Sequence, residues 1–192
     1  MFTVPRQSTH NPSHDGHRRE GLSCAALAVA LLVIATPGCS RHSDGPLPEL
    51  RSIAASDLKS MLGQAQSPLT LVHVWASWCP PCREEFPTVL RFREDYAKRG
   101  LTLILVSADS PAQKGAVARF LAANGASFPS YIVANPDETF VNTLSTNWSG
   151  AIPASFFFGP GGELRTWWEG KTAYEKYRET AETQLKQETK GR

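Results

Sequence analysis

The sequence predicts an α/β domain, a central mixed β-sheet with helices on both faces. Three observations lead there. Short apolar, β-branched runs alternate with stretches of helical periodicity from residue 69 to residue 144, as in parallel strands joined by helical crossovers. Two of those runs, "LTLVHVW" (69–75) and "LTLILV" (101–106), are apolar almost throughout, as strands covered on both faces should be. Finally, "IPASFFF" (152–158) and "ELRTWW" (163–168) are separated only by "GPGG", which makes them an antiparallel pair.

Before the first strand lies a segment of another character. Arg18 and Arg19 precede "LSCAALAVALLVIA", an apolar run of 14 residues from Leu22 to Ala35. As a helix it would extend about 21 Å, short of the ~30 Å hydrocarbon core. A basic flank, a short apolar run and small residues after it follow the order of a secretory signal. The run ends "ATPGCS", which resembles a bacterial lipoprotein cleavage box whose cysteine, Cys39, becomes the lipidated first residue. Thr36 stands where such boxes usually carry an aliphatic residue. An ordinary cleaved signal and an uncleaved membrane anchor are the competing readings. Residues 1–38 are therefore read as a signal peptide of lipoprotein type, 39–49 as a tether and 50–192 as the folded domain.

The domain is read element by element. A helix is expected around Ile53 to Leu62, with Ser56 and Asp57 as caps, and a loop from Gly63 to Pro68. The strand 69–75 leads into a helix that starts at the cysteines and continues to about Lys98. Phe86, Val89, Leu90 and Tyr96 form its apolar face, and Gly100 closes it. After strand 101–106, Ser110 and Pro111 open a helix that ends at Asn124–Gly125. A short strand at 131–133 and a short helix from Asp137 to Leu144 precede the hairpin. Thr172 to Gln187 closes the chain with Tyr174, Tyr177, Ala181 and Leu185 at helical spacing.

The chain has 192 residues, a formal net charge of +2 and four cysteines. So small a charge does not suggest nucleic acid as a partner. Cys24 falls inside the apolar run and Cys39 at the processing box, which leaves Cys79 and Cys82 to the domain. A bridge across so short a loop constrains the unfolded chain little, so the pair serves chemistry. Zinc needs about four ligands, and the domain adds only His73. A Cys–His peptidase would need an orienting partner and an oxyanion site that nothing in the sequence indicates.

In "VWASWCPPCREEFP" (74–87) a strand ends at Trp75 and Cys79 stands where a helix begins. Pro80 suits the first helical position, because the amide it lacks would be unsatisfied there. Free amides and the positive end of the helix dipole favour the Cys79 thiolate, the nucleophilic form. Cys82, one turn deeper on the same face, is within disulfide reach. Cys79, at the open end, would exchange with a partner, and Cys82, shielded, would resolve the mixed disulfide. The buried thiol needs a base, for which Glu85 and His73 are the candidates. Glu85 lies one turn beyond Cys82; His73 shares a strand face with Leu71 and Trp75. A lone histidine in an apolar strand is also commonly a satisfied core residue, and Glu85 could be a solvated carboxylate like Glu84. Trp78 is the aromatic expected at a docking surface, and Trp75 belongs to the core.

"WASWCPPCREEFP" resembles the active-site signature of the TlpA/ResA-like family of exported thioredoxin-fold thiol–disulfide oxidoreductases. "WSGAIPASFFF" and "GGELRTWWEG" resemble that family's cis-proline stretch and late hairpin, and the resemblance spans roughly residues 50 to 187. It implies a thioredoxin-like domain in which Cys79 attacks, Cys82 resolves and Glu85 is the acid beside them. It also implies that Pro153 is a cis-proline facing the disulfide, leaving the Ile152 backbone to pair with an extended substrate strand. The family usually carries Asn where His73 stands, and Thr-Thr where Ala154–Ser155 stand. A histidine can gain positive charge and so favour a nearby thiolate.

The resemblance implies a protein-disulfide reductase on the periplasmic side, lipid-anchored through Cys39, for which no cofactor is expected. Clients would be proteins with disulfides or thiols, such as those of cytochrome c maturation, and a membrane dithiol would donate electrons. A disulfide-introducing oxidase, or a chaperone holding Cu(I) on the same two thiolates, are the alternatives. A peroxidase fits the closely spaced pair less well.

Overall fold

The computed structural model describes residues 47–190, and their side chains as far as residue 187. The expected signal peptide, Cys39 and most of the tether lie outside the described residues. Among those described, no helix is long and apolar enough to cross a membrane.

Six strands and five helices follow in the order β1 (Leu50–Ile53), α1 (Ala55–Gly63), β2 (Leu69–Trp75), α2 (Pro80–Ala97), β3 (Leu101–Ser107), α3 (Lys114–Ala123), β4 (Ser130–Val133), α4 (Glu138–Leu144), β5 (Ala154–Phe158), β6 (Leu164–Glu169) and α5 (Tyr174–Lys190). They form one mixed sheet in the order β1-β4-β3-β2-β5-β6. β1, β4, β3 and β2 run parallel, while β5 is antiparallel to both β2 and β6. The central strand β2 is buried along its whole length, which is why its sequence carries no polar alternation.

Two cores flank the sheet. On one side Leu71, Trp75, Leu103, Leu105 and Phe157 pack against α2, α3 and α5. On the other, Val72, Val74, Ile104, Val106 and Phe156 pack against α1 and α4. The first core is rich in rings. Trp75, Phe86 and Phe120 sit with centroids 4.8–5.1 Å apart beneath the start of α2. Phe92 meets Tyr96 at 4.8 Å and Tyr177 at 5.3 Å farther along. Such pairs add about 0.5–1.5 kcal/mol beyond the area they bury, and they fix how α2 and α5 lie on the sheet.

One element departs from expectation. Residues 50–53, for which the sequence suggested no strand, form one, and α1 begins at Ala55 rather than around Ile53, with Ala54 as its cap in place of Ser56 or Asp57. Asp57 sits in the first turn and its carboxylate accepts from the Ala54 amide at 3.4 Å. The β5–β6 turn closes on the end of α1, where Gly162 has φ +79° and a Cβ would lie 2.9 Å from the Leu62 carbonyl carbon. Only glycine tolerates both the angle and the approach.

Candidate active site

Cys79 is the N-cap of α2, with extended backbone angles, and Pro80 occupies the first helical position. Cys79 and Cys82 are joined by a disulfide, their Cα atoms 5.3 Å apart. The Cys82 amide points at Cys79 Sγ from 3.3 Å, where it would donate to a thiolate on reduction. The Ile152 carbonyl oxygen lies 3.8 Å from the same sulfur, and the Ile152–Pro153 peptide bond is cis. Thus the first turn of α2 and the entry to β5 converge on one sulfur.

Burial differs from the open position expected of Cys79. Cys82 is fully buried and Cys79 keeps only 4% of its surface, because the Ile152–Pro153 segment covers the sulfur from the β5 side. Exposure passes to its neighbour Trp78, which is 60% exposed while Trp75 is buried.

A buried chain of polar side chains runs between the sheet and α2. His73 Nδ1 lies 3.0 Å from Ser155 Oγ, and Ser155 Oγ lies 2.8 Å from the Tyr177 hydroxyl. Tyr177 donates to Glu85 Oε1 at 3.0 Å, which also accepts from the Thr172 amide at 2.8 Å. The register explains the first contact, because His73 pairs with Ser155 across the antiparallel β2–β5 ladder. The chain thus links β2, β5, α5 and α2. His73 Nε2 and Glu85 Oε2, at its two ends, are buried without a hydrogen-bond partner among the described residues.

Burial governs the electrostatics. Desolvation pushes His73 down to about 3, so the imidazole is neutral near pH 7 and the positive charge that a histidine there allows is absent. Desolvation also raises the Glu85 carboxyl, opposed by the Thr172 amide, the Tyr177 hydroxyl, Lys171 and Lys176. Tyr177 is held well above its ordinary value, first by burial and then by the Glu85 charge, and keeps its proton throughout.

A second buried cluster holds the turn before Cys79. Asp109, fully buried just past β3, accepts from the Ser77 amide at 2.8 Å, the Ser77 hydroxyl at 2.5 Å and the Ser107 hydroxyl at 2.6 Å. The Ala108 amide donates to the Trp75 carbonyl at 2.8 Å. These bonds tie residues 75–77 to the neighbouring strand and so aim the start of α2.

The structure joins Cys79 to Cys82, sets the Ile152 carbonyl of the cis Ile152–Pro153 bond beside Cys79 Sγ, and places Glu85 and His73 at opposite ends of the polar chain. Sequence reasoning missed Ser155, Tyr177 and Asp109 as site residues. A signal for Ser155 existed: β2 carries His73 and β5 carries Ser155 within otherwise largely apolar runs, and buried polar groups need partners.

A parallel-to-mixed sheet with a cysteine pair capping the helix after its central strand, faced by a cis-proline, is a thioredoxin-like fold carrying a dithiol/disulfide site. The chain belongs to the AhpC/TSA family, whose family model matches residues 49–167. It is 28% identical over 114 residues to sporulation thiol-disulfide oxidoreductase A of Bacillus subtilis (strain 168), covering 59% of this chain and 66% of that protein. It is 28% identical over 94 residues to thiol-disulfide oxidoreductase ResA of Geobacillus kaustophilus (strain HTA426), covering 49% of this chain and 50% of that one. The chain therefore spans 66% or less of the length of these relatives. A solved thiol:disulfide interchange protein of the thioredoxin family from Chlorobium tepidum TLS shares the fold, with a TM-score of 0.53 at 20% identity, covering 74% of this chain and 99% of that one.

Proposed function

We propose that this protein is an exported thiol–disulfide oxidoreductase that reduces disulfides in client proteins through the Cys79–Cys82 couple. The observation that carries the reading is the disulfide at the cap of α2, with the Cys82 amide aimed at Cys79 Sγ. A helix N-terminus and a directed amide both stabilise a thiolate at that sulfur. Reduced Cys79 attacks a client disulfide and releases one client thiolate. Cys82 then loses its proton to the Glu85 carboxylate and attacks Cys79 Sγ, so that the second client thiolate leaves and the Cys79–Cys82 bond forms. A membrane dithiol returns two electrons for the next cycle.

Trp78 and the Ile152–Pro153 backbone form the docking edge, with an extended client segment pairing beside Ile152. Relatives named thiol-disulfide oxidoreductases support the reaction class. The signal-like segment and Cys39 support export and a lipid anchor on the periplasmic side, where cytochrome c maturation proteins are the client class. Cys82→Ser in the exported full chain is expected to accumulate mixed disulfides through Cys79. Adducts on Cys79→Ser and none on Cys82→Ser would reverse the two roles. A midpoint potential near that of strong oxidants, about −120 mV, would overturn the reducing direction.

A further inference from the structure

We infer that Tyr177 is a positioning residue for the resolving step: its hydroxyl, backed by Ser155 and His73, locks Glu85 Oε1 so that Oε2 alone exchanges a proton with Cys82. This rests on the proposed role of Glu85 as the base for that thiol.

Counting protons sets the direction of the chain. Tyr177 has one proton and donates it to Glu85 Oε1. The contact between Tyr177 and Ser155 must then be made with the Ser155 proton. Ser155, having spent its proton, can only accept from His73, which requires the Nδ1–H tautomer. That tautomer leaves Nε2 as a bare acceptor, in keeping with the absence of a partner there among the described residues. Every hydroxyl in the chain points toward the carboxylate. Oε1 accepts twice, from Tyr177 and from the Thr172 amide, while Oε2 accepts from no described residue. A proton arriving at Glu85 therefore settles on Oε2 without breaking a bond.

The groups facing Glu85 come from each element around it. Tyr177 and Lys176 come from α5, Lys171 and the Thr172 amide from the segment before α5, and Ser155 and His73 stand behind Tyr177 on β5 and β2, while Cys82 lies three residues before Glu85 on α2. Lys171 itself pairs with Glu84 on the exposed side. Tyr177 is the one side-chain hydrogen-bond donor to the carboxylate among them, and it is buried with its ring against Phe92, Phe157 and Trp168. Phenylalanine at this position keeps those ring contacts and removes only the donor.

The test is single-turnover reaction of the reduced full chain with 5,5′-dithiobis(2-nitrobenzoate). Release of the first thionitrobenzoate reports attack by Cys79; release of the second reports Cys82 closing the disulfide. In the parent protein the second phase should accelerate with pH through the Glu85 titration. Tyr177→Phe should move that inflection up by about one pH unit, because a hydrogen bond to the charged form is lost, and slow the phase roughly tenfold below it. Glu85→Gln should abolish the inflection, and adding Tyr177→Phe to it should change nothing more. If Glu85→Gln loses the inflection but Tyr177→Phe leaves it in place, the inference is overturned and the role of Glu85 stands. If Glu85→Gln keeps the inflection, the role of Glu85 falls and the inference with it. Should Tyr177→Phe not fold, Ser155→Ala carries the same test, with a smaller shift of the same sign expected and no shift overturning the inference.

Discussion

Ser155→Ala isolates the centre of the buried polar chain. Its Oγ accepts from His73 Nδ1 at 3.0 Å and meets the Tyr177 hydroxyl at 2.8 Å. Removing it leaves an imidazole N–H with no acceptor, since the opposite nitrogen has no described partner either. Tyr177 keeps its bond to Glu85 and loses only a donor to its oxygen. An orphaned buried donor costs about 1–3 kcal/mol and a bare acceptor less, so destabilisation of about 2 kcal/mol is expected. With a urea slope of about 1–3 kcal/mol/M, the midpoint should fall by roughly 1 M. Tryptophan fluorescence and far-UV circular dichroism of the oxidised protein would measure it. His73→Leu in the Ser155→Ala background removes the orphan, so the two changes together should be milder than their sum by about 1 kcal/mol or more. A Ser155→Ala loss under about 0.5 kcal/mol, or an additive pair, would refute the buried chain as drawn.

Two further outcomes concern stability. His73 is pushed by burial from its ordinary 6.5 to about 3, so between those values the unfolded chain binds the extra proton. Stability should therefore rise with pH across that window and be lost as pH falls through it, by about 5 kcal/mol in all. Subtracting the profile of His73→Asn isolates this slope from Glu85, whose raised carboxyl acts oppositely, its share being lost as pH rises past the ordinary carboxylate value. Asp109→Ala strips the acceptor from the Ser77 amide and from the hydroxyls of Ser77 and Ser107. Urea unfolding should show a loss of about 3 kcal/mol, against about 1 kcal/mol for Ser77→Ala, since the hydroxyls can turn elsewhere and the amide cannot.

Much of the fold was legible because burial writes itself into composition. β2, β3 and the hairpin strands are apolar enough to stand out, and α2 announces itself with a proline in its first turn and a glycine after its last. β1 was not legible, because a four-residue edge strand with only its ends buried has no period of its own and forms by pairing with β4. The same division holds at the site. Local chemistry placed the cysteines at a helix cap, and alternation put His73 on the same strand face as Leu71 and Trp75. Tyr177 read as one more core aromatic at helical spacing, for nothing local says where a hydroxyl ends up. Ser155 and Asp109 likewise acquire their partners only through tertiary packing. The near-complete burial of Cys79 escaped notice for the same reason, since its cover comes from residues 73 positions away.

His73 and Ser155 stand opposite each other on adjacent strands although 82 positions separate them in the chain. Neither dipole is complete without the other, so the two sites cannot drift independently. A descendant that trades the imidazole for an amide must re-plumb the strand behind the cis-proline in the same stroke. Comparison of sister sequences should therefore find these columns changing as a couple, with solitary replacements purged.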